Sequence, residues 1–254
     1  MTAALAVRGL TVAFGGVTAL DDLSFDVAPG TLKGVIGPNG AGKTTLFNAI
    51  SGFVAPQAGR IMLGERDVGA LPAPARAGLG LARTFQNLQL FGRMTVLENV
   101  MLGAHARLEA GWIAGLFGLA RREAHATEAL ARAQLARLGL EGHAARRASE
   151  LGFAEGKLVE IARALAAAPQ VLLLDEPIAG VPPSDQRRIA DVIRAVHAGG
   201  TTILLVEHNM RVVMDLCSDI LVLHHGARLA EGPPAQVSRE PDVIAAYLGT
   251  GTHA

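Results

Sequence analysis

Residues Gly37 to Thr44 read Gly-Pro-Asn-Gly-Ala-Gly-Lys-Thr, which satisfies the spacing G-x-x-x-x-G-K-[ST] at every position. No other feature narrows the fold so far. Glycines at 37, 40 and 42 let the backbone wrap closely, so that successive N–H groups face one concavity suited to phosphate oxygens. Such a loop must follow a buried strand and open a helix. Leu32 to Ile36 supplies the apolar strand and Thr44 to Ile50 the helical run, whose N-terminus adds the positive end of its dipole. An accidental glycine-rich turn would lack that setting. Lys43 then offers a mobile charge to the β- and γ-phosphates of a nucleotide, and Thr44 a hydroxyl to Mg²⁺. Pro38, Asn39, Ala41 and Thr45 complete the expected nucleotide-binding stretch.

The rest of the chain is organised around that loop. Leu5 to Phe14 and Leu20 to Val27 read as β-strands, with Ala28-Pro29-Gly30 turning the chain after the second, and Gly59 to Leu63 reads as another. From about Ala104 to Glu150, Ala, Leu, Arg and Glu dominate, and apolar residues recur at helical spacing through Glu128 to Leu138. Strand and helix alternate again afterwards: Val171 to Leu174, Asp185 to His197, Thr202 to Val206, Ile220 to Leu223. This alternation predicts an α/β fold, a mostly parallel sheet covered by helices. An antiparallel β subdomain is expected at the N-terminus and a helical subdomain as an insert. The expected division of the single domain gives 1–86 and 160–254 to the α/β core with its β subdomain, and 87–159 to the helical subdomain.

Bulk properties exclude several roles. Lys+Arg and Asp+Glu balance at 23 each, so no net field draws the chain to nucleic acid. The single cysteine, Cys217, allows no internal disulfide and fits a reducing compartment. No charged segment followed by an apolar one opens the chain, so no secretion signal is expected. The longest apolar stretch, Gly111 to Ala120, is far shorter than the roughly twenty residues of a membrane span. A cytoplasmic protein able to sit against a membrane protein is the expectation. Only three of the basic residues are lysines (Lys33, Lys43 and Lys157), and each raises the question of why arginine was not used.

The second half of the expected site lies far along the chain. The apolar run Val171 to Leu174 ends in Asp175-Glu176-Pro177. A strand-end pair of carboxylates is by itself an ordinary solvated turn. Beside a phosphate loop, Asp175 becomes the candidate for holding Mg²⁺ and Glu176 for orienting or deprotonating the attacking water.

With both halves present, the sequence resembles the ABC ATPase family over nearly its whole length, which implies a P-loop NTPase (RecA-like) core, ATP and Mg²⁺ as ligands, and ATP hydrolysis coupled to transport. By that resemblance Gln86, in Thr84-Phe85-Gln86, is similar to the glutamine that touches the metal and connects to the helical subdomain. His208, after the strand Ile203 to Val206 and Glu207, is similar to the switch histidine that contacts the γ-phosphate. Phe14, before Gly15-Gly16, resembles the aromatic that stacks on adenine, although its spacing suits a core residue equally well. Within the family the chain is most similar to the larger ATP-binding subunit of branched-chain amino acid importers. The matching stretches are Phe14-Gly15-Gly16, Arg83 to Gln86, Met94 to Val100 and Pro241 to Gly249, with a similar long insert around Trp112 and Phe117. The resemblance implies a second ATPase subunit, identical or different, transmembrane permease subunits, and indirectly a substrate-binding protein. It also implies a peripheral place on the cytoplasmic face of a bacterial inner membrane.

Two segments depart from the family pattern. Where the family has Leu-Ser-Gly-Gly-Gln, the loop that contacts ATP held by the opposite subunit, this chain has Leu151-Gly152-Phe153-Ala154-Glu155. Gly152 lacks the serine hydroxyl, Ala154 adds a methyl group, and Glu155 adds a carboxylate. Ala179-Gly180-Val181-Pro182 replaces a loop that usually ends in Asp or Asn. Both departures fall in elements that act across a dimer. In a heterodimer whose other subunit keeps an intact loop, one full and one weakened site is the expectation; the alternative is that the substitutions are tolerated, since the loop's N–H groups and the helix N-terminus survive them.

Overall fold

The computed structural model describes residues 3–105 and 119–248. Among the described residues, ten strands form two sheets. Strands β1 (Leu5–Phe14), β2 (Val17–Val27), β4 (Ala58–Leu63) and β5 (Arg66–Asp67) form an antiparallel sheet in the order β2-β1-β4-β5. Strands β3 (Leu32–Ile36), β6 (Leu81–Arg83), β7 (Val171–Asp175), β8 (Thr202–Val206), β9 (Asp219–His224) and β10 (Ala227–Gly232) form the larger sheet in the order β10-β9-β3-β8-β7-β6. Within it β9, β3, β8, β7 and β6 run parallel, and only β10 is antiparallel.

The continuous apolar runs of these strands follow from burial on both faces. Successive residues alternate between two cores. Val35, Leu173, Leu204 and Leu221 face the antiparallel sheet and α1 (Lys43–Ser51), where they meet Leu10, Phe25, Phe47 and Ile61. Ile36, Leu172, Leu205 and Val222 face the opposite way. They join a core shared with α3 (Val96–His105), α4 (Leu119–Arg137), α5 (Phe153–Ala166) and α6 (Pro183–Ala198). Shorter helices are also present among the described residues: α2 (Ala73–Gly78), α7 (Met210–Leu216), α8 (Pro234–Val237) and α9 (Pro241–Leu248).

After β6, helical structure begins at Val96 and not near Ala104. Thr95 and Glu98 form a reciprocal cap: the Thr95 N–H donates to the Glu98 carboxylate at 2.7 Å and the Glu98 N–H to the Thr95 hydroxyl at 3.2 Å. α5 runs unbroken through residues 159 and 160, so the expected division at that point crosses one helix. The insert around Trp112 and Phe117, and Gly249 of the last matching stretch, lie outside the described residues.

Candidate active site

The carboxyl ends of β3, β7 and β8 lie side by side, and each runs at once into a loop carrying an expected site residue. After β3 the chain cannot pass with ordinary side chains. A Cβ on Gly37 would stand 2.2 Å from the Leu223 carbonyl oxygen, and one on Gly42, at φ 100°, 2.6 Å from that of Ala19. Lys43, buried at the start of α1, donates to the carbonyls of Gly37 at 2.6 Å and Pro38 at 2.9 Å. Burial holds its ammonium below the ordinary lysine pKa, with the charge of Glu176 opposing that shift. Both acceptors are neutral, so phosphate oxygens can take the ammonium from them.

Asn39, Gly40, Ala41, Gly42, Lys43, Thr44 and Thr45 line one cavity of about 330 Å³ together with Gln86, Glu176 and His208. Glu176 is its centre. The residue sits at φ 47°, a conformation that costs a non-glycine residue energy and is retained where surrounding structure enforces it. Here its N–H is tied to the Val206 carbonyl at 2.9 Å. One carboxylate oxygen meets His208 Nε2 at 2.5 Å and the other accepts from Gln86 Nε2 at 3.0 Å. Two residues from separate parts of the sequence thus converge on the carboxylate of a third.

Residues 20–179 match the family described as "ABC transporter". The chain belongs to that family. Residues 227–253 of this ABC protein also match the family described as "Branched-chain amino acid ATP-binding cassette transporter". It is 42% identical over 248 residues to the "High-affinity branched-chain amino acid transport ATP-binding protein LivG" of Salmonella typhimurium, covering 96% of this chain and 97% of the relative. It is 40% identical over 251 residues to the BraF protein of the same description from Pseudomonas aeruginosa, covering 96% and 97%. Among solved structures, a nucleotide-free ATP-binding cassette from an ABC transporter superposes with a TM-score of 0.85 at 33% identity, over 97% of this chain and 99% of that one.

In this ABC cassette Asp175 is placed differently from Glu176. Its Oδ2 accepts from Arg83 Nη2 at 2.7 Å, with the two side chains 7% and 8% exposed. Arg83 also reaches Asn48 Oδ1 at 2.8 Å and Ser51 Oγ at 3.2 Å, and its guanidinium lies among the rings of Phe47, Phe53 and Phe85. Sequence reasoning counted Arg83 only within the matching stretch Arg83 to Gln86 and gave it no role of its own, because its partner Asp175 lies far along the chain. It also missed Glu207, whose carboxylate accepts from the N–H groups of Ile178 at 3.0 Å and His208 at 3.2 Å and so braces the two loops that follow β7 and β8. Burial pushes the Glu207 carboxyl up, against three backbone N–H groups that favour its charged form.

The remaining expected residues lie apart from the cavity. Gly37 and Pro38 contribute carbonyls to Lys43 and do not line it. Phe14 is 51% exposed at the β1–β2 turn, which rules out a core role. Gly152, Ala154 and Glu155 form the start of α5. Glu155 accepts from the Gly152 N–H at 3.1 Å and lies 2.9 Å from His143 Nε2 and 3.8 Å from an Arg146 nitrogen. Burial works to raise its pKa, but the Gly152 N–H, His143 and Arg146 prevail and leave the carboxyl below the usual range. A Cβ on Gly180 would lie 3.4 Å from the Phe153 ring, so the two segments that depart from the family pattern are neighbours.

The donor set suits Mg²⁺. Thr44 offers a hydroxyl, Asp175 has its Oδ1 beyond the Arg83 contact, and Gln86 has its amide oxygen beyond the contact to Glu176. Few hard oxygen donors beside a phosphate site are what this cation needs, since it keeps waters and phosphate oxygens as its other ligands.

Proposed function

We propose that this chain is the ATP-hydrolysing subunit of a membrane importer for branched-chain or other hydrophobic amino acids. The observation that carries the reading is the convergence of His208 and Gln86 on Glu176 at the mouth of the phosphate loop. The cargo class is supported by the descriptions of the relatives and of the family matched at 227–253.

In this reading Lys43 and the N–H groups of the loop bind the β- and γ-phosphates, and Phe14 stacks on the adenine. Glu176 orients and deprotonates the attacking water, while His208 holds that carboxylate and reaches the γ-phosphate. Thr44, Asp175 and Gln86 would hold Mg²⁺, which would supply charge neutralisation at the phosphates. Two such subunits, identical or different, close on MgATP. The far wall of each site comes from Gly152, Ala154 and Glu155 of the other subunit.

The permease contact is placed on an apolar hollow of about 480 Å³ beside the Gln86 loop, walled by Phe53, Phe85, Phe91 and Leu102. Phe53 and Phe91 are more than half exposed there, at 58% and 57%. Such a cluster on a surface calls for an apolar partner, and a cytoplasmic helix of the permease fits the shape of a hollow. No described helix of this chain is long and apolar enough to cross a membrane. The unit 87–159 would move with that helix, at the cytoplasmic face of a bacterial inner membrane, while a separate binding protein delivers the amino acid from outside.

Proteoliposomes holding the permease subunits and this chain test the reading. ATP-driven uptake of labelled leucine that disappears with Glu176→Gln is the expected result. Hydrolysis without uptake of any branched-chain amino acid would refute the cargo assignment.

A further inference from the structure

Three charged side chains of α5 have no part in the chemistry above, yet two of them are among the most buried charges described. Lys157 is 2% exposed and Glu160 1%. With Arg163 they recur every three residues along one face of the helix. All three reach a single short segment, residues 85–89. Lys157 Nζ donates to the Gln86 carbonyl at 2.5 Å and lies 3.4 Å from that of Phe85. Glu160 Oε1 accepts from the Gln89 N–H at 2.7 Å, and Arg163 Nη1 donates to the Gln89 carbonyl at 2.5 Å. Between these anchors Leu88 lies so close to α5 that a Cβ on Gly156 would stand 2.8 Å from its Cδ2. The segment is therefore gripped along its length, at the main chain of 85, 86 and 89 and at the side chain of 88.

Burying these charges works against them. Burial lowers the Lys157 pKa despite the nearby carboxylates of Glu160, Asp175, Glu207 and Glu176, and burial raises that of Glu160. Against that cost stand the contacts these side chains make to the main chain of Gln86 and Gln89, which apolar residues of similar volume would leave unpaired. One ammonium thereby reaches two adjacent carbonyls, those of Phe85 and Gln86. What is fixed joins two working parts. The Gln86 side chain reaches Glu176, while its own carbonyl is held by Lys157, one turn into the helix that begins with Gly152 to Glu155.

We propose that Lys157, Glu160 and Arg163 are positioning residues that clasp the Gln86 segment to α5, so that the two move as one body and a shift of Gln86 at the phosphate site is delivered to the loop at the start of that helix. This rests on the transporter reading above, and the test separates the two. Wild type, Lys157→Met and Lys157→Arg are assembled with the permease subunits, and ATP hydrolysis, leucine uptake and amide hydrogen exchange at residues 86–89 are measured together. In Lys157→Met, hydrolysis should stay within about twofold while uptake per ATP falls about tenfold, an ordinary size for a coupling between sites. Exchange of the 86–89 amides should quicken about tenfold. Lys157→Arg should restore a large part of both.

Hydrolysis and uptake falling in parallel, or an unchanged ratio, overturns the clasp. If wild type itself shows no ATP-driven uptake, the transporter reading fails, and the exchange rates alone judge the clasp: no change at 86–89 overturns it. Should Lys157→Met not fold, Arg163→Met, which releases the Gln89 carbonyl and the 3.6 Å ion pair to Glu160 but leaves the Gln86 carbonyl held, carries the same comparison with a smaller expected effect.

Discussion

At the phosphate cavity, side chains from distant parts of the chain bond to one another: His208 and Gln86 to Glu176, and Arg83 to Asp175. At the first turn of α5 the polar groups bond to their own helix and its flank. Glu155 takes the Gly152 N–H and sits against His143, and Gly152 has no hydroxyl to offer. The first surface is preorganised for a ligand and the second is satisfied without one. Whatever the α5 turn gives to a partner's nucleotide must come from its remaining main-chain N–H groups and the helix dipole. Substitutions on the first surface should therefore act on chemistry and binding, and those on the second on assembly and stability.

The largest effect should come from Glu176→Gln. The amide keeps the shape and its contacts to His208 and Gln86 but cannot take a proton. We expect kcat to fall about 10³-fold, within the usual range for a general base, with nucleotide binding retained. Single-turnover hydrolysis beside calorimetric ATP binding checks it, and a normal rate would remove Glu176 from the role of base. Lys43→Ala should instead weaken binding itself. The loss of one charge-assisted contact, about 1.5–3 kcal/mol, corresponds to roughly 10- to 150-fold in Kd. Equal Kd values would place the phosphates elsewhere.

The contrast between the two surfaces was only partly legible in the sequence. The loop at Gly37 to Thr44 was readable because close packing against Leu223 and Ala19 demands glycine at fixed spacing, and local spacing is what a sequence displays. The strands of the parallel sheet were readable because both faces are buried, so their runs are wholly apolar. The start of α3 was written in Thr95-x-x-Glu98, a capping signature outweighed by the stronger compositional change further on. Arg83, Glu207 and the α5 clasp were not readable, since each depends on partners some 30 to 90 residues away. The three lysines share a setting. Lys33, Lys43 and Lys157 are all buried, and each donates to at least one backbone carbonyl. Lys33 adds ion pairs to Asp219 and Glu231 that tie β3 to β9 and β10.

Restoring the family residues at the α5 turn should give a smaller gain. A Cβ on Gly152 would meet only Glu155 Oε2, at 3.8 Å, and the backbone there (φ −66°, ψ 159°) already suits a capping serine. Gly152→Ser with Ala154→Gly should raise hydrolysis in the assembled transporter by about three- to tenfold, the equivalent of one recovered hydrogen bond. No rise would mean that the trans surface works through its main chain alone, and the expected asymmetry between two sites would lose its basis.

The smallest effect separates the two surfaces most directly. If Glu155 serves its own helix, Glu155→Ala should cost about 1 kcal/mol, as for a lost cap, and lower Tm by about 2–4 °C at neutral pH. Its folded pKa lies below the unfolded value, so its stabilisation is present above the ordinary carboxylate range and is lost as pH falls through the depressed one. The Tm gap between wild type and variant should therefore close on acidification below about pH 4, where carboxylates protonate in both states. Hydrolysis by the assembled transporter should change by less than about twofold, since the carboxylate spends its hydrogen bond on the Gly152 N–H. A several-fold rise in hydrolysis with Tm unchanged would reverse the assignment, because it would mean that Glu155 faces a partner's phosphate and repels it.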